Sequence, residues 1–306
     1  MMNNQLAEAQ ATFRANAKTF SLAARFLNKD RYEAVARLYA FCRHVDDLAD
    51  TGNPGSNSAT LNAIREDIRA GKSDNRHVND LLLLQGEYDL PTELLLDFVD
   101  AIIDDQYPRE LQTVDELVRF SYGVASTVGL MMCHIFNVRN PNAFPFAIDL
   151  GVAMQISNIC RDILEDAERN RIYVPAELLA TPVTCEGLVH GDQAMRNSAY
   201  QAAQQLLQIA DNYYASAALG YGYLPRGVRH TIKIAARLYQ AIGDKVTSSQ
   251  KAYWQQRSVV SRRRKCSLVL QMLWQRMNEG SSTLLVGKVS HCQQLHKALG
   301  NRKFTS

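Results

Sequence analysis

The chain has 306 residues, 46% of them hydrophobic and 21% charged, and a formal net charge of +3. That length allows one large domain or two small ones, and the composition is that of a soluble globular protein rather than a disordered or fibrous one. The amino terminus lacks the basic stretch and apolar core of a signal peptide, and no apolar run is long enough to span a bilayer; residues 129–136 are mostly apolar but too short. The six cysteines, Cys42, Cys133, Cys160, Cys185, Cys266 and Cys292, form no C-x-x-C pair, so zinc is not expected and a reducing cytoplasm is.

Eight prolines punctuate the chain: Pro54, Pro91, Pro108, Pro141, Pro145, Pro175, Pro182 and Pro225. Proline is disfavoured inside helices, so long helices are expected between them. The first informative one reads Tyr39-Ala40-Phe41-Cys42-Arg43-His44-Val45-Asp46-Asp47-Leu48-Ala49-Asp50. A loop rich in Gly, Asn, Ser and Pro follows over 51–58, which places this stretch at the carboxyl end of its helix, beside a mobile mouth. Leu61, Ile64 and Ile68 then mark one helical face, and Leu81 to Leu84 follow in the same span. Leu94, Leu95, Phe98, Val99 and Ile102 mark another. Further helices are expected over 114–136, 146–171, 193–219 and 228–242. Strand-like alternation is nearly absent. These elements predict an all-α single domain over 1–280 and a polar, basic tail over 281–306.

The helix expected over 146–171 carries Gln155-Ile156-Ser157-Asn158-Ile159-Cys160-Arg161-Asp162-Ile163-Leu164-Glu165-Asp166. Residues four apart share a helical face, so Asp46 pairs with Asp50 and Asp162 with Asp166. Like charges at that spacing weaken an isolated helix. One such pair is most often a solvated face. Two pairs among apolar neighbours such as Leu38, Phe41, Val45, Ile156 and Ile159 call for a cation, because buried carboxylates are rare unless paired or coordinated. An oxygen-only set suits Mg²⁺, which keeps positions open for water and phosphate oxygens. Arg43 and Arg161 suit the same partner, since guanidinium groups match phosphate geometry.

Charge is uneven along the chain. Residues 226–306 carry 16 Lys and Arg against two acids, and residues 1–225 carry 18 basic and 29 acidic residues. The basic residues are dispersed through apolar helical sequence, and no nucleic-acid motif accompanies them. Phosphate binding inside a site and attraction to an anionic membrane surface fit better, and a solvated face accounts equally well for most of these side chains. No G-x-G-x-x-G or Walker motif supports a nucleotide cofactor; Gly220-Tyr221-Gly222 lacks the third glycine and a preceding strand.

The two clusters, with Tyr39-Ala40-Phe41-Cys42-Arg43 before the first and Arg171-Ile172-Tyr173-Val174-Pro175 after the second, resemble the squalene and phytoene synthase family. Lys18-Thr19-Phe20-Ser21, Tyr122-Gly123-Val124-Ala125-Ser126-Thr127-Val128-Gly129 and Val259-Val260-Ser261-Arg262-Arg263-Arg264-Lys265 support the resemblance in order along the chain. Ala235-Ala236-Arg237-Leu238-Tyr239-Gln240-Ala241-Ile242-Gly243 looks most like the bacterial phytoene synthases. The resemblance implies a class I terpenoid synthase helical bundle with a central cavity. It implies head-to-head joining of two geranylgeranyl diphosphates to phytoene via prephytoene diphosphate, the first committed step of carotenoid biosynthesis. A C30 synthase using farnesyl diphosphate, or a non-catalytic relative acting as an assembly factor, are the alternatives.

By the same resemblance, Asp46, Asp50, Asn158, Asp162 and Asp166 hold Mg²⁺, for which Mn²⁺ substitutes, and NADPH is not used. Arg43, Gln155, Asn158, Arg161, Lys18 and Phe20 bind substrate, as do Tyr253 and Arg262, while Tyr39 and Tyr122 line the cavity near the reacting carbons. Lys265 is a further diphosphate contact on this reading. Asn16 and Ala17 stand where relatives often carry His or Ser. The helix after Phe20 implies that Ala23 or Ala24 faces the cavity and leaves room for a C20 tail. The expected partners are prenyl diphosphates, a peripheral membrane surface and the carotenoid enzymes before and after this one, in the cytoplasm.

Overall fold

The proline-bounded stretches fold as α-helices in a computed structural model that describes residues 2–51, 55–107, 109–278 and 290–300. In chain order they are α1 (Met2–Asn16), α2 (Phe20–Ala24), α3 (Lys29–Asp50), α4 (Ser58–Ala70), α5 (Arg76–Tyr88), α6 (Thr92–Asp104), α7 (Val114–Ser121) and α8 (Thr127–Ile135). After these come α9 (Phe144–Glu168), α10 (Cys185–His190), α11 (Gln193–Leu219), α12 (Arg226–Thr247), α13 (Gln250–Gln255) and α14 (Arg262–Asn278). The domain is all-α, as the sequence implies. Side-chain caps fix several helix starts: Asn28 accepts from the Arg31 N–H, Asn75 from His77 and Val78, Thr113 from Glu116, and Asp192 from Met195. The span holding Leu61 to Leu84 is two helices, because Gly71 ends α4 in the left-handed conformation at φ 67° and Asn75 starts α5.

Helix α9 is the axis of the bundle. It packs along α11 and α12 and against α7 and α8, with Ile148, Val152, Ala153, Ile156 and Cys160 fully enclosed. Residues Pro141–Glu168 are long and apolar enough to cross a bilayer by length and composition, contrary to the sequence-based expectation. Most of that stretch is buried inside the protein and it carries Asp149, Gln155 and Asn158, which makes it a core helix. At Gly151 the neighbouring backbone comes so near that a Cβ would lie 2.5 Å from Ser126 Cα. Any larger residue there would separate α9 from its partner.

That partner is a five-residue π-turn, Tyr122–Ser126, between α7 and α8. The helix expected over 114–136 is therefore continuous but widened by one turn. Thr127 Oγ1 closes it by donating to the Gly123 carbonyl at 2.6 Å. Such turns rotate the phase of all that follows.

Two short parallel strands, β1 (Arg109–Glu110) and β2 (Arg171–Ile172), pair Arg109 with Arg171 and Glu110 with Ile172. They tie the loop after α6 to the loop after α9, with Leu111 N–H donating to the Ile172 carbonyl at 3.1 Å. Of the tail expected over 281–306, residues 290–300 are described, and they dock on the domain. A 3₁₀ segment, Gln293–Leu299, packs on α7 with His296 and Leu299 buried.

Candidate active site

Both aspartate pairs stand in the last turns of their helices, Asp46 and Asp50 on α3 and Asp162 and Asp166 on α9. The carboxyl end of a helix carries partial negative charge, so each pair is disfavoured by its neighbour and by its own helix. The structure brings the pairs to opposite walls of one acidic cleft, whose lining also includes Arg43, Gln155, Asn158, Asp105, Arg171 and Tyr173.

Burial pushes the carboxyl of Asp46 up to about 7, with Asp50 adding to the shift. It pushes Asp166 up to about 8, helped by Asp162 and Asp105 and opposed by Arg169 and Arg171. Asp105 is raised to about 6 by burial, against the pull of Arg171 and of Tyr173, whose hydroxyl donates to both its oxygens at 2.8 Å. Three carboxyl groups that resist ionisation in one cleft are groups whose charge a bound cation would stabilise. The donors are carboxylate and amide oxygens, a set that fits Mg²⁺ or Mn²⁺.

The arginines partly compensate this charge. Arg169 and Arg171 each reach Asp50 at 2.8 Å, and Arg171 lies 3.7 Å from Asp105. Arg161 clasps Asp162 through two hydrogen bonds, and Arg257 adds contacts to Asp162 at 2.9 Å and Glu165 at 3.2 Å. Arg43 sits on the rim, paired with Asp47 at 2.5 Å. Each of these guanidinium groups is thus paired with an acid at or beside the cleft.

Below the cleft lies an apolar cavity of about 290 Å³. It shares Asp46, Val124, Gln155 and Asn158 with the acidic cleft, so the two form one continuous space. Phe20, Tyr39, Tyr239 and Tyr221 present aromatic rings to it, Ala143, Ala147 and Ala217 leave its wall wide, and Gly129, Gly151 and Gly220 let the surrounding elements pack closely.

The remaining sequence-predicted residues fall elsewhere. Tyr122 is buried with its hydroxyl 3.5 Å from Asp97 and is not part of the cavity wall; Val124 and Ala125 of the same π-turn are. Tyr253 packs on Tyr200 and Trp254 and donates to the Cys160 carbonyl at 2.8 Å, bracing α9 from behind. Lys18 and Arg262 are exposed outside the cleft, while Lys265 donates to Thr19 Oγ1 at 2.8 Å. Its amine is lowered by burial and by the nearby charges of Arg161 and Lys18. Ala23 and Ala24 are fully buried where α2 packs on α1 and α12, and neither faces the cavity, which corrects the expectation that one of them sets its depth. Asp105, Arg171, Tyr173, Arg257 and Tyr239 were not singled out as site residues from the sequence.

The sequence pattern described as squalene/phytoene synthase matches residues 13–264. A 15-cis-phytoene synthase of Enterobacter agglomerans is 32% identical over 266 residues, covering 83% of this chain and 90% of its own. A phytoene synthase of Rhodobacter capsulatus is 32% identical, covering 84% of this chain and 77% of its own. Among solved structures, a dehydrosqualene synthase in complex with ligand superposes with a TM-score of 0.77 at 24% identity, covering 90% of this chain and 98% of its own. Squalene synthase HpnC of Alicyclobacillus acidocaldarius gives 0.67 at 22%, covering 79% and 92%. Both share the fold.

The raised carboxyl groups make stability depend on pH and metal together. Asp46, Asp105 and Asp166 keep protons in the folded protein that the unfolded chain, with carboxyl values of about 4, has already lost. Their burial therefore costs stability as pH rises from about 4 to about 8, and bound Mg²⁺ offsets that cost. The gain in melting temperature on adding Mg²⁺ and diphosphate to metal-free protein should be larger at pH 8.5 than at pH 6. An equal or smaller gain at pH 8.5, by scanning fluorimetry, contradicts this assignment.

Proposed function

The chain belongs to the squalene/phytoene synthase family, and we propose that it is a prenyltransferase joining two geranylgeranyl diphosphates head to head to make phytoene. The observation that carries this reading is the apolar cavity opening directly into the carboxylate cleft, a shape that matches an isoprenoid tail ending in a diphosphate.

Asp46, Asp50, Asp162, Asp166 and Asn158 would hold the metal, with Asp105 between the two pairs. Divalent metal held by these residues would supply electrostatic stabilisation of the departing diphosphate and so lower the cost of breaking the allylic C–O bond. Arg43, Arg161, Arg169, Arg171 and Arg257 share that negative charge. The bond's electron pair leaves with the diphosphate and an allylic cation remains. The double bond of the second substrate attacks it and loses a proton, giving the cyclopropyl prephytoene diphosphate. A second ionisation, rearrangement and proton loss yield phytoene without a reductant. The Tyr39 and Phe20 rings stabilise the cations by their faces without acting as nucleophiles, and the apolar wall excludes water.

Mass-detected product formation tests the reading. We expect phytoene from geranylgeranyl diphosphate with Mg²⁺ or Mn²⁺, no effect of NADPH, and at least a hundredfold loss of turnover in Asp46→Asn and Asp162→Asn with the helical fold retained. Efficient use of farnesyl diphosphate alone would instead favour a C30 synthase, and near-normal turnover by both variants would refute the metal assignment.

Cavity depth sets chain length on this reading. Ala147 lines the wall 15 residues before Asp162 on α9, about 22 Å along the axis at about 1.5 Å per residue. Ala147→Phe would plug that end. The ratio of turnover on geranylgeranyl to farnesyl diphosphate should fall at least tenfold; an unchanged ratio in a folded variant counts against it.

Peripheral membrane association in the cytoplasm fits the same reading, because the product is a long hydrocarbon with no place in water. Helix α14 begins with the exposed Arg262, Arg263 and Arg264 and then exposes Leu270 and Trp274, each 65% accessible. Anionic lipid attracts each nearby basic residue by about 1 kcal/mol. Flotation with anionic liposomes at low salt, reversed at high salt, is expected; no flotation at low salt speaks against it.

A further inference from the structure

Helix α9 buries a further carboxylate at its other end. Asp149 has no accessible surface and precedes Asp162 by 13 residues, about 20 Å along the axis at about 1.5 Å per residue. The proposed reaction does not use it. A lone carboxylate in that position would be costly. Three side chains converge on it instead. His291 Nε2 is 2.8 Å from one oxygen, His296 Nε2 is 2.8 Å from the other, and Ser216 Oγ on α11 donates to the first at 2.6 Å.

We propose that Asp149, His291 and His296 form a binding site for a transition-metal dication of the zinc class, which staples residues 290–300 to α9. The three ligand atoms lie within 4.8 Å of one another. Both histidines offer the same ring nitrogen, and both come from one short segment with four residues between them, inside the H-x₃₋₅-H spacing of zinc ligands. Two imidazoles and one carboxylate suit zinc and not the Mg²⁺ of the acidic cleft. Ligands of a tetrahedral zinc stand about 3.3 Å apart, for bonds of about 2.0–2.1 Å, so an ion would need the histidines to back off the carboxylate and the three ligand atoms to draw in from their 4.8 Å span. The Ser216 hydroxyl orients the carboxylate from behind, as outer partners of metal ligands do. Burial works to raise the Asp149 carboxyl, but hydrogen bonds from His291, His296 and Ser216 outweigh it and hold the group below its ordinary value. Each histidine side chain keeps 10% of its surface accessible, so the cluster is not fully sealed from solvent.

The staple would act on the floor of the cavity. The His291 ring meets Phe146 edge-on at 5.3 Å, and Phe146 lines the cavity and stacks on Tyr223. The same segment receives a hydrogen bond from Tyr213 to the Leu295 carbonyl at 2.8 Å. An ion at Asp149 would therefore fix the wall that receives the far end of a tail. The absence of paired cysteines, which argued against zinc in the sequence, says nothing of a histidine and aspartate site.

Metal content decides the matter. The full chain, freed of any histidine tag, is equilibrated with micromolar Zn²⁺ in Mg²⁺ buffer, gel-filtered and analysed by mass spectrometry for bound metal. We expect close to one zinc per chain, at least a tenfold loss in His291→Gln and in His296→Gln, and full retention in Asp46→Asn. Co²⁺ in place of zinc should give a visible absorption band that both histidine variants lose, with circular dichroism confirming their fold. Wild-type protein that carries no stoichiometric zinc under these conditions would overturn the proposal and leave a hydrogen-bonded latch only. So would zinc retained by both histidine variants, or zinc lost in Asp46→Asn.

Discussion

Mutual repulsion among buried carboxylates is the constraint around which this protein is arranged. Asp46 and Asp50 from α3, Asp105 from the end of α6, and Asp162 and Asp166 from α9 share one cleft. Each pair already opposes its own helix, and burial raises three of the five groups well above ordinary carboxylates. The fold tolerates this because the rest of α9 is enclosed by α7, α8, α11 and α12, and because Arg161, Arg169, Arg171 and Arg257 lean on the rim. A protein that stores such repulsion gains affinity for whatever brings positive charge. On the proposed function that would be the metal that accompanies a diphosphate.

The cavity follows from the same arrangement. Apolar residues about two to four turns before Asp162 on α9 form a wall that descends from Met154 through Gly151 to Ala147 and Phe146. A ligand of the proposed kind would thus have its charged end where the helix ends and its apolar end where the helix is most enclosed. The π-turn at Tyr122–Ser126 lets Val124 and Ala125 reach into that space while Gly151 and Ser126 stay in close contact. Charge, depth and water exclusion are all set by one helix and its neighbours.

The local parts of this site were legible in the sequence. The i, i+4 aspartate pairs, Gln155, Asn158 and the flanking arginines are matters of helical spacing, and a helix delivers them wherever it packs. Helices such as Gln193–Leu219 emerged at their expected bounds because proline, caps and apolar spacing agree there. Asp105 and Arg171 were not legible as site residues. They meet the cleft only because β1 and β2 join two loops some sixty residues apart. Tyr122 was placed on the cavity wall by resemblance alone; it opens the π-turn, buried with its hydroxyl near Asp97, while Val124 and Ala125 of that turn line the cavity. Ala23 and Ala24 were misread because small residues serve close packing as readily as they line a cavity. The Asp149 cluster joins residues more than 140 positions apart, and the His291–His296 spacing does not by itself point to Asp149.

The central claim is that one ligand spans both compartments, with its diphosphate between the two aspartate walls and its tail in the apolar cavity. A crystal structure with Mn²⁺ and a non-ionisable thiolodiphosphate analogue of the prenyl substrate tests this most directly, through anomalous scattering. The account predicts manganese peaks between the Asp46–Asp50 and Asp162–Asp166 walls, with the tail running along α9 past Gly151 toward Ala147. Manganese bound away from both pairs, or an analogue whose diphosphate lies at the Phe146 end, would contradict it.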